Sequence, residues 1–86
     1  MASITVYTTN ACAYCVQVKR LLDKRGLTFD EINLARDPEG RTALIEKTGR
    51  MSFPQVLIGD TVVGGFEETV RAERSGQLAQ LLAEAA

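Results

Sequence analysis

Residues 3–26 read "SITVYTTNACAYCVQVKRLLDKRG". In the first half, Ile4 and Val6 alternate with Thr5 and Tyr7, and the β-branched content predicts a strand. In the second half, from Ala13 to Arg25, Val18, Leu21 and Leu22 stand against Lys19, Arg20, Asp23 and Lys24 at helical spacing. Gly26 falls where a left-handed C-terminal cap belongs. A strand therefore passes through the short turn "TNACA" straight into an amphipathic helix, and the chain's two cysteines, Cys12 and Cys15, stand at that junction.

Further along the chain the same reading continues. "LTFDEINL" returns to strand composition, and Asp37 followed by Pro38 supplies an N-cap and a first-turn proline for a helix running through Leu44, Ile45 and Thr48 to Gly49. Gly40 weakens the start of that helix. "PQVLIGDTVVGG" holds two short apolar runs separated by Gly59-Asp60, a hairpin signal, with Pro54 at its beginning. The rest, "FEETVRAERSGQLAQLLAEAA", is helical with an interruption at Ser75-Gly76, and it ends with Leu78, Leu81 and Leu82 on one face. The order βαβαββα requires a mixed sheet with helices over its faces, so an α/β fold is expected. No linker, repeat or low-complexity segment divides residues 1–86, and a single domain is expected.

The bulk composition narrows the function. Of 86 residues, 45% are hydrophobic and 24% charged, the balance of an ordinary globule with enough apolar material for a core. Ten basic residues against eleven acidic ones give a net charge of -1, and no run of like charge announces a nucleic-acid groove or an anionic membrane surface. "MASITVYTT" lacks the basic and apolar regions of a signal peptide, so a cytoplasmic location is expected, with neither nucleic acid nor membrane as partner.

Two cysteines three apart can be a metal clip, a structural staple or a redox pair. A closed zinc site needs four ligands, and the chain has no histidine and no second cysteine pair. As a staple, the loop they close is too short to remove much unfolded-state entropy, and a reducing compartment keeps thiols reduced. Both cysteines packed as small hydrophobes remains the bland alternative. For a redox pair the placement is chemically apt. Cys12 precedes the helix, where unpaired N–H groups favour thiolate and commonly lower a cysteine pKa from ~8.5 into the ~3.5–7.5 range. Cys15, one turn further in, lies within disulfide reach and is expected to be the less exposed of the two. Cys12 is then the attacking residue and Cys15 the resolving one.

With those residues in view, the sequence resembles a dithiol glutaredoxin from about Ile4 to Leu82. "VYTTNACAYC", "TGRMSFPQV", "IGDTVVGG" and the acidic pair Glu67-Glu68 carry the resemblance, in that order and spacing. It implies a thioredoxin-like four-stranded mixed sheet flanked by helices, thiol-disulfide exchange through Cys12 and Cys15, and glutathione as reductant with no metal required. It also implies disulfide-containing or glutathionylated client proteins and a monomeric state. Ser52-Phe53-Pro54 matches the family's Thr-Val-Pro, which implies a cis bond before Pro54 and a Phe53 backbone free to pair with the cysteinyl unit of glutathione. Gly65, Phe66 and Glu67 match the segment that holds the γ-glutamyl end. Arg41 matches a position that reaches the glycyl carboxylate, and Tyr14 matches the tyrosine lining the groove beside the sulfur.

The sequence departs from that pattern at three places. Thr9 stands where many members carry a lysine, which removes one charge contact to glutathione. Phe66-Glu67-Glu68 replaces Cys-Asp-Asp or Cys-Ser-Asp, so a longer acid enters the γ-glutamyl region, and the Gly-Phe pair is similar to glutaredoxin-like proteins reduced by thioredoxin reductase. A different low-molecular-weight thiol is therefore an alternative reductant. Ala13 replaces the usual proline, and small residues there occur in members that bind an iron-sulfur cluster between two subunits with glutathione. A glutathione-ligated cluster dimer is the alternative from a different functional class.

Overall fold

The computed structural model describes residues 3–85. Its strands are β1 (Ile4–Thr8), β2 (Phe29–Asn33), β3 (Gln55–Ile58) and β4 (Thr61–Gly64). The helices are α1 (Ala13–Lys24), α2 (Pro38–Thr48), α3 (Phe66–Ser75) and α4 (Gln77–Ala85). The last helical segment is thus two helices, and the order ends αα. Gly76 causes the break: at φ +84° it adopts the left-handed conformation that ends α3, and its N–H turns back to the Glu73 carbonyl.

The strands form one mixed sheet in the order β2-β1-β3-β4. β1 runs parallel to β2, with Ile4 opposite Phe29, and antiparallel to β3, with Val6 opposite Val56. β3 and β4 close the hairpin expected around Gly59-Asp60. The period-2 pattern of β1 turns Ile4, Val6 and Thr8 into the interior, where Val18 and Leu22 of α1 meet them. Val56 and Ile58 of β3, Ala72 of α3 and Leu78 of α4 complete this core, and Leu81 and Leu82 pack against it. All four β3 residues are buried, as befits a strand paired on both sides.

Local signals explain the helix ends. The Asp37 carboxylate accepts the Gly40 N–H at 2.8 Å, which caps α2 above Pro38. The glycine that costs this helix propensity is there for space, because a Cβ at position 40 would press on the Asp37 carboxylate and come within 2.8 Å of Leu34 Cδ2. The fold places the first turn of α1, the loop before β3 and the β4–α3 connection beside one another, and the candidate site is built there.

Candidate active site

Cys12 is the N-cap of α1, with extended backbone (φ -118°, ψ 102°), and its Sγ accepts the Cys15 N–H at 3.1 Å. The residue before it, Ala11, has φ +53°, an uncommon conformation for a residue with a side chain, and this turn swings the sulfur over the helix start. Cys12 and Cys15 are joined in a disulfide, with Cα atoms 5.2 Å apart. Cys12 is half-buried, while Cys15 is 2% exposed. Cys15 is the less exposed of the two, as expected from its place one turn further into the helix.

Against the first turn of α1 lies a cavity of about 220 Å³. Tyr14, between the two cysteines, forms one wall, and Ser52, Phe53 and Pro54 form another. Gly65, Phe66, Glu67 and Glu68 supply the third from the start of α3. The Tyr14 and Phe66 rings stack across the mouth with centroids 5.5 Å apart and planes 28° from parallel, so α1 and α3 meet through aromatic contact. The Phe53-Pro54 peptide bond is cis. Of the residues expected around glutathione, Tyr14, Phe53, Pro54, Gly65, Phe66 and Glu67 all line this one cavity.

Arg41 does not. It lines an adjoining groove that shares Phe53 with the cavity, and its Nη1 donates to the Leu34 and Ala35 carbonyls at 2.7 and 3.0 Å. The chain between β2 and α2 leaves those two carbonyls within reach of the first turns of α2, and they hold the guanidinium.

Two groups lie outside the site residues expected from the sequence: Glu68, which lines the cavity, and Arg50, which lines the adjoining groove and reaches Glu68. The Glu68 Oε1 accepts the Gly65 N–H at 3.0 Å and the Arg50 Nη1 at 2.5 Å. The Gly65 N–H first, and then Arg50, hold the Glu68 carboxyl below its usual pKa. The spacing Gly65-x-x-Glu68 is half of a capping box, an acid at the third helical position reaching back to the N-cap N–H, and it was available as a signal for Glu68. Nothing local points to Arg50, 18 residues earlier in the chain.

On the other side of the disulfide, Cys12 and Cys15 line an open cleft of about 500 Å³ together with Thr8, Lys19 and Glu31. The Thr8 hydroxyl donates to Glu31 Oε2 at 2.8 Å, and Lys19 Nζ lies 3.1 Å from Oε1. Those contacts, Thr8 foremost, keep the Glu31 carboxyl below its usual pKa. Among the described residues no three His, Cys, Asp or Glu side chains gather as a metal site, and no helix is long and apolar enough to cross a membrane.

Comparison with known proteins gives a consistent result. The glutaredoxin family model matches residues 4–63. A glutaredoxin of Pseudomonas aeruginosa is 42% identical over 82 residues, covering 95% of this chain and 98% of that one. A glutaredoxin of Neisseria meningitidis is 40% identical over 83 residues, with the same coverage. Among solved structures, the buckwheat glutaredoxin-glutathione complex superposes with a TM-score of 0.85 at 31% identity, over 98% of this chain and 79% of that one. Glutaredoxin from Brucella melitensis does so with a TM-score of 0.82 at 39% identity, over 95% and 89% of the two chains.

Proposed function

This chain belongs to the glutaredoxin family and is a thiol-disulfide oxidoreductase with a Cys12-Cys15 pair, and from that premise we propose that it works with glutathione, reducing protein disulfides and glutathione mixed disulfides. The observation that carries this reading is the cavity that brings Tyr14, the neighbour of both cysteines on the first turn of α1, together with Phe53, Pro54, Gly65, Phe66 and Glu67. The buckwheat relative, a glutaredoxin-glutathione complex, lends it support.

In the proposed cycle, the Cys12 thiolate attacks the glutathione sulfur of a glutathionylated client. The client leaves as its thiolate and the glutathione remains on Cys12. A second glutathione thiolate attacks that glutathionyl sulfur, which releases oxidised glutathione and restores Cys12. With a protein disulfide, Cys12 forms the mixed disulfide with the client, Cys15 displaces the client thiolate to give the Cys12-Cys15 bridge, and two glutathione thiolates attacking in succession reopen the bridge and leave as oxidised glutathione. In the reduced enzyme the Cys15 N–H and the first turn of α1 stabilise charge on Cys12, which supplies nucleophile at neutral pH. The Phe53 backbone pairs with the cysteinyl unit, Gly65-Phe66-Glu67 receives the γ-glutamyl end, and Arg41 is assigned to the glycyl carboxylate.

A coupled assay with a glutathionylated peptide, fed in turn by glutathione with glutathione reductase and by thioredoxin reductase, tests the reading. Turnover with glutathione is expected. Turnover with thioredoxin reductase alone would replace glutathione as the reductant.

A further inference from the structure

The acids at the start of α3 create an electrostatic problem: Glu67 and Glu68 lie side by side at a cavity assigned to an anionic substrate. We propose that Arg50 sets the charge preference of this cavity: as counter-ion to Glu68 it admits disulfide substrates that carry a carboxylate, which an uncompensated Glu68 repels. The proposal rests on the reading of this cavity as the substrate site and deepens it by naming the class of substrate the site selects.

Both partners are held from behind. Arg50 sits in the segment between α2 and β3, where its N–H donates to the Thr48 hydroxyl at 3.1 Å and its carbonyl accepts from Gln55 Nε2 at 3.0 Å. Gln55 is itself 1% exposed, so the backbone of Arg50 is tied to the buried end of β3. Glu68 is folded back onto the helix start by the Gly65 N–H. Gly64 leaves room for this, since a Cβ there would lie 2.8 Å from Glu68 Cβ. The ion pair therefore joins Glu68 on the cavity wall to Arg50 in the adjoining groove, and ties the segment that leads to Ser52-Phe53-Pro54 to the turn that carries Gly65-Phe66-Glu67.

An exposed ion pair contributes little to stability, because solvent screens it and ordering two long side chains costs entropy. Its field at the cavity is another matter. Without Arg50 the Glu68 carboxylate on the cavity wall, next to Glu67, loses its cationic partner, and a charge a few ångströms away at a partly exposed site changes encounter and binding of an anion several-fold at low salt.

The test uses three symmetric disulfides of similar length: anionic dithiodipropionate, neutral 2-hydroxyethyl disulfide and cationic cystamine. Fully reduced protein is mixed with each, and its oxidation is followed by acid quench and mass measurement. In that reaction Cys12 displaces one probe thiolate and Cys15 the other, two electrons passing from the dithiol to the probe. Rates are divided by that of the neutral probe, which removes any general loss of folding or reactivity. Arg50→Met is expected to lower the anionic-to-cationic ratio about fivefold to tenfold at low ionic strength, with the effect shrinking as salt is added. Arg50→Lys is expected to keep the wild-type ratio. Arg50→Met combined with Glu68→Gln, which retains an oxygen for the Gly65 N–H but not the charge, is expected to restore it. An unchanged ratio in Arg50→Met, or no recovery in the double variant, overturns the proposal. Failure of the glutathione reading looks different: the charge selectivity through Arg50 is present, yet glutathione does not turn the enzyme over.

Discussion

The backbone N–H of Cys15 points at the sulfur of Cys12 across 3.1 Å, so one member of the redox pair caps α1 by accepting from the other. The sulfur does for α1 what a serine oxygen does at other helix starts. We predict that, with both proteins reduced, Cys12→Ser keeps stability within about 0.5 kcal/mol of wild type, whereas Cys12→Ala loses roughly 1 kcal/mol. Urea unfolding under reductant measures both. Neither variant should reduce a glutathione mixed disulfide, and normal turnover by Cys12→Ser would remove Cys12 from the nucleophile's role.

Cys15 is buried, and in the proposed cycle it enters only after Cys12 has reacted. Cys15→Ser is predicted to retain activity toward glutathione mixed disulfides, which a second glutathione can resolve, and to lose activity toward protein disulfides. Parallel assays with a glutathionylated peptide and with a disulfide-bonded protein separate the two. Loss of both activities would show that resolution runs through Cys15 for every substrate.

The adjacent glycines Gly64 and Gly65 are not equivalent. Gly64 has φ +124° and a Cβ there would collide with Glu68, while a Cβ on Gly65 would make ordinary contacts at 3.5 Å. Gly64→Ala is predicted to destabilise by about 1–3 kcal/mol and Gly65→Ala by well under 1. Denaturant midpoints decide it, and equal losses at both positions would contradict the geometry.

Acid should weaken the fold partly through Glu31. Its folded pKa is depressed, first by the Thr8 hydroxyl and then by Lys19, so it contributes stability above its unfolded pKa of about 4.3. That contribution is lost as pH falls from there through the folded value. Thr8→Val is predicted to flatten the loss of stability below about pH 4 relative to wild type, with the Glu68 contribution of the same sign left in place. Urea midpoints measured from neutral pH downward test this, and an unchanged acid limb would count against the Thr8 contact.

Leu22 of α1 is fully buried against the sheet. Leu22→Ala is predicted to cost about 2–5 kcal/mol, a large share of the ~5–15 kcal/mol typical of a whole domain. The melting temperature of the oxidised protein reads the effect directly. A shift of only a degree or two would mean the site collapses around the smaller side chain.

Much of this protein is legible locally. The alternation around Val6, the helical spacing of Val18 and Leu22, the Asp37-Pro38 start and the Gly76 break are decided within a few residues. Backbone conformation responds there to side-chain period, capping and the freedom of glycine. The same holds for Cys12 and Cys15, because three residues of α1 bring their Cα atoms to 5.2 Å without help from the rest of the chain. What pairs across the fold is different. Glu31 meets Thr8 and Lys19 only because β1 and β2 pair in parallel beneath α1, and Glu68 meets Arg50 only because the loop before β3 lies beside the start of α3. Arg41, legible as a cation on α2, is directed by the carbonyls of Leu34 and Ala35, whose position follows from the route of the chain between β2 and α2. A side chain's own type states what it can bind. Which partner it takes is settled by the sheet order and helix packing that bring distant segments within hydrogen-bond range.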